Sequence, residues 1–489
     1  MPTRALYKPS LTLLTDLYQL TMAYGYWKSG LADHEAVFNL FFRKNPFAGG
    51  YTIACGLADA VEILGGFGFD DGDLAYLAEL RGSDDEPLFE HAFLDHLQQM
   101  RFSCSVDAVA EGTAVFPHEP LMRVQGPLLQ CQILETPLLN VINFQTLIAT
   151  KSARICHATR GEPVLEFGLR RAQGVDGAVA ASRAAYVGGC VATSNVLAGR
   201  LLGIPVKGTH AHSWVMCFDS ELESFEAYAE AMPNNCIFLV DTYDTLDGVR
   251  HAIEVGKKLR QRGHELAGVR LDSGDLAYLS IEARKILDEH GFQQTKIVAS
   301  NDLDEHIIAS LKTQGATIGV WGVGTKLVTA FDQPALGGVY KLAAIRAPDA
   351  PWQHKVKLSE QAIKISTPGR LGVRRYLDAT GIAAADMIYN IDAPPSGRLV
   401  IVDPLDHLRR KIVDASAPYV ELLEPIFRDG ELVYEAPSLA DSRARTQEQL
   451  ALLHRGIKRF VNPHEYPVGL EKGLHDLKTE LILRARGVE

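Results

Sequence analysis

The sequence predicts an α/β protein: an irregular β/α barrel of about seven strands, accompanied by an α/β domain built from both chain flanks. Three observations carry this expectation. Seven short β-rich runs recur through the middle third, each closing on polar or glycine residues, and most are followed by a helix-like segment. The runs are close to continuously apolar, as parallel strands covered on both faces are. The flanks carry further strand-like runs, and neither flank has enough of them for a separate sheet.

The N-terminal flank begins with LTLLTDLYQLTMAYGYW, an apolar stretch that still carries Asp16 and Gln19. Strand-like runs at 35–57 and 103–130 lie on either side of an acidic helical stretch around 70–100. The barrel runs are VLEFGLRRA (164–172), CVATSN (190–195), PVKGTHAHSW (205–214), CIFLVDTYDT (236–245), GVRLDSGDL (268–276), KIVASNDLD (296–304) and TIGVWGVGT (317–325). Segments between them, such as DGVRHAIEVGKKLRQRG and LAYLSIEARKILDEHG, place apolar residues at helical spacing and end in glycine. Beyond the barrel, GGVYKLAAI, HKVKLS, GRLVIVDP and LLEPIFRDGELV read as strands, and a polar helical tail follows from about 437. The expected division is 1–130 for the first part of the α/β domain, 131–340 for the barrel, and 341–489 for the second part with its tail.

Composition bounds the function. A chain of 489 residues exceeds one simple core, so more than one domain is expected. The net charge of −11 supplies no basic excess to displace counterions, which argues against a nucleic-acid partner. A locally basic pocket for a small anion remains compatible with it. Cys55, Cys104, Cys131, Cys156, Cys190, Cys217 and Cys236 stand singly with no C-x-x-C pair, a pattern of reduced thiols that predicts a cytoplasmic setting. No uncharged apolar run reaches bilayer length and no signal-like cleavage region follows the N-terminal stretch, so neither membrane span nor export signal is expected.

In β/α barrels catalytic residues collect at the C-terminal ends of the strands. That rule selects Phe167, Arg170, Ser194, Thr209, His212, Asp241, Arg270, Asp272, Ser300, Asn301, Gly324 and Thr325. Any one of them alone reads as a turn residue or a helix cap; so many at successive strand ends read as a functional rim. Arg270 lies inside an otherwise apolar run, where its planar fork calls for a carboxylate or phosphate partner. GVWGVGTKL offers Gly322, Gly324 and Thr325 just before an apparent helix, whose free N–H groups suit a phosphate. With the hydroxyl and amide of ASND on the preceding strand, this describes a sugar-phosphate pocket.

GTHAHSW (208–214) raises a different possibility, because an H-x-H pair can grip a metal in a barrel hydrolase. Such a pair belongs on the first barrel strand, with histidines on later strands. Here it lies on the third unit, and His251, His264, His290 and His306 fall in helices or at their termini. No protein-held metal is expected, and His210 is assigned no part in the chemistry.

Eight ordered motifs carry a resemblance: LLTDLYQLTMAYGYW, EFGLRRAQG, TSNVLAG, GTHAHSW, VDTYDT, VRLDSGDL, ASNDLDE and GVGTKL. Together, from about residue 11 to 342, they resemble the nicotinate phosphoribosyltransferases, with weaker echoes near VKLSEQAIKISTPGR and in the tail. The resemblance implies a type II phosphoribosyltransferase architecture, an irregular barrel plus an α/β domain, working as a homodimer with shared active sites. It implies nicotinate and phosphoribosyl pyrophosphate as substrates, ATP as co-substrate, and Mg²⁺ carried by the diphosphate.

The same resemblance implies roles by position. Phe167 and Tyr18 would cover the two faces of the pyridine ring, Tyr18 reaching across from the neighbouring subunit, with Arg170, Thr209 and Arg270 in the same pocket. Asp272, Ser300, Asn301, Gly322, Gly324 and Thr325 would hold the ribose and its phosphate. His212 would be phosphorylated by ATP, with Asp241 expected to face its other nitrogen and fix the tautomer. At Ser194 the related nicotinamide enzyme has an aspartate, which would repel a carboxylate; serine therefore favours the acid. Nicotinamide and quinolinate transferases remain the alternatives. Lys355, Lys357 and Lys364 could assist phosphate binding.

Overall fold

The computed structural model describes residues 11–488. The chain forms a mixed α/β structure of two compact units, one running through Thr150 and resuming at Ala335, the other spanning Lys151–Pro334.

The Lys151–Pro334 unit contains a six-stranded sheet in which every pair is parallel. Its spatial order is Ala192–Thr193, Val164–Glu166, Val320–Val323, Lys296–Ala299, Gly268–Leu271 and Ile237–Leu239. Helices Gly174–Val187, Thr245–Gln261, Leu276–Glu289 and Glu305–Thr313 connect successive strands and bury faces rich in Ala, Val, Ile and Leu. The local sequence explains four of the strand-to-helix switches. Asp244, Asp275 and Asp304 each accept hydrogen bonds from two amides of the first helical turn, and Asn195 caps Val196–Leu202 by accepting from the Ala198 amide. Asp241, Asp272 and Asn301 lie three residues before those aspartates, so each motif pairs a strand-end group with a helix cap.

The expected barrel does not close. Among the described residues no ladder joins Ala192–Thr193 to Ile237–Leu239, and the run at 205–214 is not a strand. Val206 makes one isolated parallel bridge to Thr193, and helix His212–Met216 begins a few residues later. Pro205 has no N–H to donate, and GTHAHS lacks the β-branched alternation that would prolong a ladder.

The other unit holds two larger sheets. The seven-stranded, antiparallel one draws Glu35–Phe41, Ser105–Val109 and Met122–Pro127 from the N-terminal flank. Gln353–His354, Val339–Arg346, Leu423–Arg428 and Glu431–Leu432 join it from the C-terminal flank. The six-stranded sheet is made entirely of C-terminal strands, which corrects the expectation that this flank could not support its own sheet. Two of those strands, Arg410–Val413 and Tyr419–Glu421, are mostly exposed edges with little apolar patterning to announce them. HKVKLS is likewise not a strand beyond Gln353–His354. Inside this unit the buried Arg375 pairs with the buried Asp386, to which Tyr466 Oη donates at 2.7 Å. No helix among the described residues is long and apolar enough to cross a membrane, and all seven cysteines are free.

Candidate active site at the strand ends

Parallel register brings the C-terminal ends of the six strands to one edge of the sheet. Val323 lies beside Glu166, Glu166 beside Thr193, Ala299 beside Leu271, and Arg270 beside Leu239. Phe167, Ser194, Ser300, Asp272, Asp241 and Gly324 therefore emerge along the same rim.

Phe167 follows its strand directly, and its amide donates to Val323 O at 2.8 Å. Its ring lies over Gly322, where an added Cβ would stand 2.7 Å from two ring carbons. Gly322 is thus a buried floor for the aromatic ring. Gly168 is confined too, because a Cβ there would meet Val328 at 2.3 Å. Arg170 sits exposed in the short turn Leu169–Arg171, and Ser194 is half-buried with its amide donating to Glu166 O at 2.9 Å.

Arg270 Nη1 donates to Thr209 Oγ1 at 2.6 Å and Nη2 to His210 O at 3.1 Å. Its Nε is buried without a hydrogen-bond partner. Burial lowers the guanidinium's affinity for its proton, with Asp272 and Asp241 acting against that and the Arg170 cation adding to it. A mostly buried arginine with an unused N–H, near a second arginine, has the chemistry to receive an anion.

The two histidines of the H-x-H run do separate jobs. His210 is buried, and its Nε2 accepts the Leu239 amide at 3.2 Å, taking an edge N–H that a further strand would otherwise satisfy. Burial drives its pKa down to about 4, and the Arg270 and His212 charges add to this, so the ring is neutral. His212 is half-exposed, with Nδ1 3.1 Å from Thr242 Oγ1 and Nε2 3.8 Å from Asp272 Oδ2. Among the described residues no cluster of three or more His, Cys, Asp or Glu side chains could hold a metal.

Asp241 does not meet His212, contrary to expectation. Its Oδ2 accepts from the Asp272 amide at 2.8 Å and from Ser273 Oγ at 2.7 Å, while Oδ1 is buried without a partner. The side chain turns toward the adjacent strand end, where that amide and that hydroxyl take it. Asp272 takes the place beside the imidazole and also accepts from Ser300 Oγ. Asn301 holds φ at +104°, a conformation rare outside glycine, and its side chain accepts from the Asp302 amide at 2.8 Å. Helix Thr325–Val328, capped by Gly324, is a single turn, so its dipole adds little to the binding expected there. Lys326 Nζ reaches Asp304 Oδ2 at 2.6 Å.

Tyr18 belongs to the other unit, on helix Leu17–Lys28, and is half-exposed. Lys355, Lys357 and Lys364 also lie in that unit, and Lys355 Nζ donates to Gln353 Oε1 at 3.2 Å. The sequence reading passed over Glu166 and Thr242. A carboxylate inside the apolar run VLEF was the available signal for the first; the second had none.

Comparison with known proteins identifies a family. Residues 13–143, 163–362 and 372–478 match, in turn, the models of the nicotinate phosphoribosyltransferase N-terminal domain, family and C-terminal domain. A nicotinate phosphoribosyltransferase of Bacillus subtilis is 46% identical over 477 residues, covering 97% of this chain and 95% of that protein. One of Homo sapiens is 37% identical over 527 residues, covering 96% of both. The crystal structure of human nicotinic acid phosphoribosyltransferase superposes with a TM-score of 0.82 at 34% identity, covering 96% of this chain and 100% of that one. A nicotinate-nucleotide pyrophosphorylase from Pyrococcus furiosus, at 20% identity and a TM-score of 0.68, shares the fold. This chain belongs to the nicotinate phosphoribosyltransferase family.

Proposed function

We infer that the chain makes nicotinate mononucleotide and pyrophosphate from nicotinate and phosphoribosyl pyrophosphate in NAD biosynthesis, coupled to ATP hydrolysis. The observation that carries this reading is Arg270, with its buried unpaired Nε near Arg170 and within the rim that bears Phe167 and Ser194. That constellation offers positive charge to a carboxylate, an aromatic face to a pyridine ring, and a hydroxyl in place of a repelling acid. The open sheet reads as an irregular barrel whose seam is bridged by the His210 side chain instead of a strand.

Each role follows from local chemistry. Phe167 stacks on the nicotinate ring, and in a homodimer the partner subunit's Tyr18 covers the other face; each such contact contributes roughly 0.5–1.5 kcal/mol. Arg270, Thr209, Arg170 and Ser194 receive the carboxylate, which aims the ring nitrogen at the anomeric carbon. Displacement there passes through an oxocarbenium-like state, and the Asp272 carboxylate, bonded to Ser300, steadies positive charge on the sugar. Asn301, Gly324 and Thr325 bind the ribose phosphate through amide and hydroxyl donors. His212, bracketed by Thr242 and Asp272, accepts the phosphoryl group of ATP.

Mg²⁺ would be held mainly through the diphosphate, with Asp272 and the unpartnered Asp241 Oδ1 as the suitable protein oxygens. When bound, it neutralises charge on the leaving diphosphate. Seven free thiols suit a reducing, cytoplasmic setting.

Incubation with ATP labelled in its γ-phosphate tests the coupling. Acid-labile phosphate should appear on the wild-type protein and be absent from His212→Ala, which should retain slow, uncoupled transfer. Label persisting in that variant would overturn the role of His212.

A further inference from the structure

We propose that Glu166 is a positioning residue for the nicotinate pocket, holding the loop of Phe167 and the loop of Ser194 at one fixed spacing. The inference rests on the reading of Phe167 and Ser194 as pocket residues.

Glu166 ends the Val164–Glu166 strand and is 1% exposed. Its Oε1 accepts from the Gly168 amide, closing a small turn with Phe167 at its centre. Its Oε2 accepts from Ser182 Oγ at 2.8 Å and Thr193 Oγ1 at 2.6 Å. The main chain adds a third tie, because Glu166 O accepts from the Ser194 amide at 2.9 Å. The network then closes: Thr193 Oγ1 accepts from the Asn195 amide at 2.9 Å, and Asn195 Nδ2 donates to Ser182 Oγ at 3.2 Å. Glu166, next to Phe167 in the chain, thus holds Gly168 on the other side of the ring, and it also binds Thr193 and the Ser194 amide; Asn195 is tied in through Thr193 and Ser182.

A fully buried carboxylate usually has a cationic partner, because desolvation is otherwise costly. Glu166 is in no ion pair among the described residues; hydroxyl and amide donors alone satisfy it. An apolar residue would fill this place at less cost if only packing were required, but it could not accept from two loops at once. The floor under Phe167 is set separately by Gly322, so Glu166 sets where the loop sits and Gly322 sets how low the ring lies.

The test is steady-state kinetics of the full chain carrying Glu166→Gln, Thr193→Val or Thr193→Ser. Gln keeps an acceptor for Gly168, so this variant should fold, but its NH₂ meets two hydroxyls that donated to the carboxylate and already accept from Asn195, which loosens the tie to the Ser194 loop. Glu166→Gln and Thr193→Val should raise KM for nicotinate about ten-fold, with kcat and KM for phosphoribosyl pyrophosphate within about two-fold. Thr193→Ser, which keeps the hydroxyl, should restore KM for nicotinate. A merely structural role would lower kcat through the active fraction and leave both KM values unchanged, and that result overturns the proposal. Phe167→Ala and Ser194→Ala separate the two layers. If they raise KM for nicotinate while Glu166→Gln and Thr193→Val do not, only the positioning role fails. If they leave it unchanged, the pocket reading fails and takes this proposal with it.

Discussion

Arg270 Nη1 donates a 2.6 Å hydrogen bond to Thr209 Oγ1, while Nε of the same guanidinium remains buried and unpaired. The fork is therefore aimed before any substrate arrives. Arg270→Ala should raise KM for nicotinate about 10–100-fold, the scale of losing a charge-assisted hydrogen bond. Arg270→Lys should recover little, because one ammonium cannot serve Thr209, His210 O and an anion in a fixed plane. Full recovery by lysine would show that charge alone matters there.

Ser194 is the position at which acid and amide substrates are expected to part. Ser194→Asp places a carboxylate where the nicotinate carboxylate approaches and gives an amide NH₂ an acceptor. The ratio of kcat/KM for nicotinate over nicotinamide should fall by about ten-fold or more. An unchanged ratio would remove Ser194 from the account of specificity.

Gly322 supports the Phe167 ring from below. Gly322→Ala would bring a methyl 2.7 Å from two ring carbons, so the ring must lift. KM for nicotinate should rise about five-fold, and the effect should largely vanish in a Phe167→Ala background, because the two changes act on one stacking contact. Additive effects would place Gly322 outside that contact.

His210 supplies a pH signature. Its folded pKa of about 4, set first by burial and then by the Arg270 and His212 charges, lies below its unfolded value near 6.5. Above that unfolded value both states are neutral and the stabilisation is fully present. As pH falls from about 6.5 to 4 the unfolded chain takes up a proton that the fold refuses. Stability on the order of 3 kcal/mol is lost across that window. His210→Gln, whose Oε1 can accept the Leu239 amide, should flatten that part of the Tm-against-pH curve. Parallel curves for wild type and variant would refute the assignment.

Much of this site was legible because strand-end chemistry and helix capping share one spacing. In VDTYD, LDSGD and SNDLD the last aspartate caps the next helix and the residue three before it faces the rim. What could not be read is where a side chain turns once it leaves the strand. Asp241 was expected at His212, but the Asp272 amide and the Ser273 hydroxyl hold it. The run at 205–214 looked like a strand because Val206 and the H-x-H alternation imitate one. Pro205 and a polar tail end the ladder, and a histidine ring substitutes for it. Glu166 was hidden because a lone carboxylate in an apolar run has no periodic signal, only the cost of its burial.

The central claim is tested most directly by a product assay on the full chain with phosphoribosyl pyrophosphate and Mg²⁺. Nicotinate, nicotinamide and quinolinate would be offered in turn, with and without ATP. The account predicts nicotinate mononucleotide and pyrophosphate from nicotinate, faster with ATP and accompanied by its hydrolysis. It predicts kcat/KM for nicotinamide lower by about a hundred-fold or more, and no turnover of quinolinate. Equal use of nicotinamide, or turnover of quinolinate without ATP consumption, would contradict it.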